Sequence, residues 1–81
     1  MPRDDKLLAR ILARPPEADF SDVRALLEAY EWELDRIKGS HHHFVKPGER
    51  TISVPVVNGR RVKRVYLIQI IDRLGLEDDQ Q

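Results

Sequence analysis

The run Gly39-Ser40-His41-His42-His43-Phe44 gathers every histidine of the chain into one place. Histidine is the side chain whose ordinary pKa, about 6.5, lets it take up or release a proton near neutral pH. There is no cysteine, so disulfides, thiol nucleophiles and cysteine-bearing zinc sites are excluded. Two kinds of chemistry remain open to such a run. As metal ligands, strand alternation brings at most His41 and His43 to one face. No further histidine completes a set, and Glu33 or Asp35 could add only a carboxylate, so neither metal nor cofactor is expected. As acid–base groups, the histidines suit the cleavage of an RNA phosphodiester. That reaction needs a base for the ribose 2′-OH and cations to steady the charge gathering on phosphorus. The Gly-Ser-His-His-His string resembles a purification-tag remnant, but it is internal and continues directly into a patterned strand.

Cations are supplied nearby. The 81 residues carry equal numbers of basic and acidic side chains, yet the two signs are segregated. Residues 36–64 hold Arg36, Lys38, Lys46, Arg50, Arg60, Arg61, Lys63 and Arg64 against Glu49 alone, and acidic residues outnumber basic ones on both sides. A basic middle between acidic ends suits a polyanion such as RNA, although a strand surface kept soluble by lysine and arginine would look similar. Phosphate contacts are expected from Lys38, Lys46, Arg60, Arg61, Lys63 and Arg64.

The elements that must position these groups are readable from periodicity. Leu7, Leu8, Ile11 and Leu12 predict a short helix over 4–13, ended by Pro15-Pro16. A second helix should start near Asp19 to Ser21 and carry Phe20, Val23, Leu26, Leu27 and Tyr30 on its core stripe, ending at about Tyr30-Glu31. From Trp32 the period becomes two, predicting a strand to about Lys38, a tight turn at Gly39-Ser40 and a second strand over 41–46. A third strand over 51–57 has Ile52, Val54 and Val56 inward, and its Pro55 belongs at the sheet edge or the strand's end. Asn58-Gly59 is a turn signal, and Arg60 to Arg64 reads either as a short fourth strand or as a loop. Val65, Ile68, Ile71 and Leu74, widened by Leu67 and Ile70, predict a last helix closed by Gly75.

The result is one α+β domain over 1–81 in the order α-α-β-β-β-α, a three-stranded antiparallel sheet with helices on one face. Residues 1–18 form an extra helix and linker, and 77–81 a polar tail. No apolar run approaches the ~20 residues of a membrane span, no signal-peptide pattern is present, and the cytoplasm is the expected compartment. If Phe44 points into the core, His42 shares its side and His41 and His43 lie on the open face. His41 follows Gly39-Ser40, where glycine admits a phosphate close to the backbone and serine can donate to it. His41 is therefore the candidate base, with Gly39, Ser40 and His43 supporting it.

The chain resembles the HicA family of toxins. The resemblance rests on Trp32-Glu33-Leu34, Arg36, Lys38-Gly39-Ser40-His41-His42-His43-Phe44, Lys46-Pro47, Ile52-Ser53-Val54-Pro55, Gly59, Lys63 and Leu74-Gly75-Leu76. It implies a double-stranded-RNA-binding-domain-like fold and a metal-independent endoribonuclease that cleaves mRNA. The histidine after glycine-serine, His41 here, would be essential, and a HicB-like antitoxin would neutralise the toxin by covering the site. Two positions depart from the family pattern: Glu31 stands where glycine is frequent, and Val57 where many relatives have a second histidine. Single-stranded or locally melted mRNA is the expected substrate, because a regular A-form duplex hinders in-line attack. A non-catalytic RNA-binding module of the same fold, or a lapsed toxin that retains antitoxin binding, are the competing readings.

Overall fold

Leu7 and Ile11, one turn apart, anchor the first helix, α1 (Asp5–Leu12), in the core, while Leu8 and Leu12 pack at its margin. The structure is a computed structural model and describes residues 5–76. The expected span of α1 holds to within a residue at each end, Asp4 lying outside the described residues. Arg14, at φ 53°, and the two prolines then turn the chain away.

The segment expected as a linker contains a strand. β1 (Glu17–Asp19) pairs antiparallel with a later strand, β5 (Arg61–Lys63), in the register Glu17↔Lys63, Ala18↔Val62 and Asp19↔Arg61. Three residues are too few for an alternation signal. What defines this ladder is non-local: two cross-strand pairs of opposite charge flank Val62, which is fully buried. Of the two readings open for Arg60–Arg64, a short strand or a loop, the structure has the strand, but paired with β1 outside the three-stranded sheet.

α2 (Phe20–Ala29) buries Val23, Leu26 and Leu27, as its stripe predicts. Asp19 is the N-cap residue, yet its carboxylate makes no cap bond and instead accepts from Arg61 Nη1 at 2.6 Å. The helix leaves through Glu31, whose φ of 72° is left-handed, and Trp32 N–H donates back to Leu27 O at 2.9 Å. A non-glycine residue in that conformation costs about 1 kcal/mol. Trp32 is buried immediately afterwards, with the Arg73 guanidinium 5.5 Å from its ring centre.

The main sheet has the order β2-β3-β4, all antiparallel, formed by β2 (Glu33–Lys38), β3 (His41–Val45) and β4 (Ile52–Pro55). Phe44, Ile52 and Val54 point to the helices, and Pro55 is the last residue of an edge strand, where its missing N–H costs no ladder bond. β2 departs from simple alternation. Leu34 pairs with Phe44 but Arg36, not Asp35, pairs with His43, so a bulge sits at Asp35.

α3 (Arg64–Leu74) ends on Gly75 in the left-handed region at φ 70°, as anticipated. Its buried stripe is Leu67, Ile70 and Ile71, whereas Val65 and Ile68 are 52% and 44% exposed. The stripe expected from Val65 and Ile68 is therefore rotated. With apolar residues around most of the circumference, periodicity alone does not pick the core side. The three helices and the inner sheet face enclose a single hydrophobic core, an α+β arrangement of double-stranded-RNA-binding-domain type. Among the described residues no helix is long and apolar enough to cross a membrane.

Candidate functional site

The hairpin that carries the histidines closes in two residues. Lys38 faces His41 across the ladder, leaving Gly39 and Ser40 as the turn, and Gly39 adopts φ 59°, which favours glycine. A side-chain carbon built on Gly39 would meet nothing within 4 Å, so the space over the turn is open. Ser40 O accepts the Val56 N–H at 2.8 Å, tying the hairpin tip to the end of β4. The start of the central strand is thereby held from both sides.

Alternation along β3 then divides the histidines. His42 lies on the helix side with its ring centre 4.3 Å from that of Phe20, and its Nδ1 is buried without a hydrogen-bond partner. It packs at the core margin. His41 and His43 lie on the opposite, open face, their rings nearly parallel with centres 6.5 Å apart. His41 is exposed, between Lys38 on β2 and Pro55 on β4. His43 is half-buried between Arg36 and Ser53, and Ser53 Oγ is 2.9 Å from its Nδ1. That bond orients the His43 ring and leaves Nε2 as its second working nitrogen.

Two members of this face, Arg36 and Ser53, are absent from the catalytic, supporting and phosphate-contact residues expected from sequence. Counting by twos from Trp32 and Leu34 would turn Arg36 and Lys38 toward the core. The extra residue at the bulge turns both to the histidine face and moves Ile37 to the other. A bulge has no local sequence signature here. Ser53 could have been found, since it alternates with the inward Ile52 and Val54, but its register against His43 depends on the β3–β4 turn.

The structure separates the remaining cations. Lys46, just beyond β3, donates from Nζ to Tyr30 O at 3.0 Å and so satisfies a carbonyl at the end of α2. Arg60, Arg61, Lys63 and Arg64 belong to β5 and its flanks, in the two-stranded sheet. Arg61 is held by Glu17 at 3.3 Å and Asp19 at 2.6 Å. Its pKa is raised first by the hydrogen bond to Glu17, against a desolvation cost, with Asp19 adding to the rise. Arg64 Nε donates to Arg14 O at 2.8 Å. Arg61, Lys63 and Arg64 line a cleft of about 650 Å³ with Pro16, Glu17 and Val65, and no histidine reaches its wall. Among the described residues no three of His, Asp and Glu are grouped to hold a metal ion.

Such a face can do proton transfer beside bound phosphate: two imidazoles and two cations, Arg36 and Lys38, flank one open strip of sheet. Val57 is half-buried, and its N–H and C=O both bond to Arg61 across the Asn58-Gly59 turn. No match was found among curated proteins or among solved structures. A family profile described as "HicA toxin of bacterial toxin-antitoxin" matches residues 20–76, from the first residue of α2 to just past Gly75. With that match spanning most of the chain and the fold agreeing, the protein belongs to the HicA family of toxins from bacterial toxin–antitoxin systems.

Proposed function

We propose that the chain is an endoribonuclease toxin that cleaves mRNA without a metal, with His41 as the general base. The observation that carries this reading is the exposed His41 ring beside Lys38 and 6.5 Å from the His43 ring, on the open face of a HicA-family sheet. RNA in single-stranded or locally melted form lies over this face with phosphates on Lys38 and Arg36. The cations of the second sheet (Arg60, Arg61, Lys63 and Arg64) and Lys46 extend the contact along the strand, subject to the internal bonds that three of them already make. Gly39 and Ser40 admit the scissile phosphate to the turn.

His41 removes the 2′-OH proton and the 2′ oxygen attacks phosphorus. The bond to the 5′ oxygen breaks, leaving a 2′,3′-cyclic phosphate and a 5′-OH end. His43, aligned by Ser53, gives the leaving oxygen its proton, while Arg36 and Lys38 stabilise the phosphorane charge. A HicB-like antitoxin neutralises the toxin in the cytoplasm by covering this face.

The test is product-end chemistry. Purified protein and an unstructured RNA are incubated in excess EDTA, and the ends are mapped. Cyclic phosphate ends are the expected result. RNA that binds in a salt-sensitive way but remains intact would leave a non-catalytic RNA-binding module in place of the enzyme.

A further inference from the structure

Among the described residues an open sheet edge remains on the far side of the histidine strip. β2 forms one edge of the main sheet and is six residues long. The opposite edge, β4, ends in Pro55, and β1 and β5 have three residues each. β2 contains neither proline nor glycine and is exposed at every residue but Leu34. Its Ile37 is 55% exposed, more than any other large hydrophobic among the described residues. A long free edge with an apolar side chain beside it is a template for another strand.

The order Glu33-Leu34-Asp35-Arg36-Ile37-Lys38 is its own antiparallel complement. Reversed against itself, it sets Glu33 opposite Lys38, Leu34 opposite Ile37 and Asp35 opposite Arg36. In a regular strand that register is forbidden, since each residue would face a partner of opposite parity, pointing to the other side of the sheet. The bulge removes the obstacle. Glu33, Arg36 and Lys38 pair with Val45, His43 and His41 and so share the open face, while Leu34 and Ile37 pair with Phe44 and His42 on the other. In the charge-matched register the Glu33–Lys38 and Leu34–Ile37 contacts therefore each join residues of the same face.

We infer that β2 pairs antiparallel with β2 of a second copy of this chain, fusing two three-stranded sheets into one of six strands. The two-fold axis runs through the bulges, normal to the sheet, so both histidine faces open to the same side. Ile37 then covers Leu34 of the second copy, and the Glu33–Lys38 contact occurs twice. The contact is small, which makes the dimer weak and concentration-dependent. It does not depend on the nuclease reading, because its test reads mass alone.

Sedimentation velocity of the full chain over a concentration series provides the test, with circular dichroism checking that each variant is folded. The wild type should pass from monomer to dimer. Glu33→Lys and Lys38→Glu should each weaken dimerisation about tenfold, because each turns two attractive cross-strand pairs into repulsive ones. The double exchange, Glu33→Lys with Lys38→Glu, should restore it. A wild type that stays monomeric throughout would overturn the proposal and leave the edge to a different protein's strand. So would a dimer that both single variants leave intact, which would point to the Val65 and Ile68 face, or a double exchange that fails to recover.

Discussion

Ser53 and Arg36 decide how the two open-face imidazoles can work, although neither is a residue type that attracts notice. Ser53 Oγ holds His43 Nδ1 at 2.9 Å and so fixes the orientation of that ring. Ser53→Ala is expected to lower the cleavage rate about fivefold, the worth of one hydrogen bond of about 1 kcal/mol, with little change in RNA affinity. A KM-against-kcat comparison checks this. Arg36 pairs with His43 in the ladder and is bound only loosely to Asp35 at 3.9 Å. Arg36→Ala should weaken RNA binding and reduce the slope of log affinity against log salt by about 1, as for the loss of one phosphate contact. The exposure of His41 and the inward turn of Phe44 follow from alternation around three adjacent histidines, so both were legible in the sequence. Arg36 was not, because its direction depends on one unpaired residue at Asp35.

At the scale of elements, strong patterns predicted their structures and weak ones did not. The turn glycines, the α2 stripe and the inward Ile52 and Val54 behave as their spacing requires. β5 is one of the two readings of Arg60–Arg64, but β1 and its pairing with β5 are not legible, since the strands are three residues long and held by charge pairs distant in sequence. Val65 and Ile68, which the periodicity predicts for the core side of α3, face outward, because apolar residues surround much of that helix. Glu31 gives an element-scale prediction. Its left-handed backbone, at φ 72°, terminates α2 where glycine would be unstrained. Glu31→Gly should raise the unfolding free energy by up to about 1 kcal/mol, read from the denaturant midpoint, the relief of strain being partly offset by the freer unfolded chain.

In the whole molecule, the helix ahead of the family-matched segment is part of the same core. Leu7 and Ile11 join Val23, Phe44, Leu67 and Ile71 in one cluster, and Ile11 is only 1% exposed. Ile11→Ala should cost about 2–4 kcal/mol in chemical denaturation, as a large-to-small change in a packed interior does. A surface helix docked loosely on a finished domain would lose far less. The charge segregation seen along the chain also resolves in three dimensions. One set of cations flanks the histidines, and in the other, around β5, Arg61 is held by Glu17 and Asp19 and Arg64 by the Arg14 carbonyl.

The most direct measurement of the central claim compares wild type with His41→Ala for both RNA cleavage and RNA binding. His41 is exposed at the first residue of β3, and its side chain makes no hydrogen bond to the described residues. Its loss should therefore leave stability within about 0.5 kcal/mol of wild type. Cleavage should fall by about 10²–10⁴-fold, the usual contribution of a positioned acid–base group, with RNA still bound. A folded His41→Ala protein that cuts RNA at the wild-type rate would contradict the assignment of that imidazole as the base.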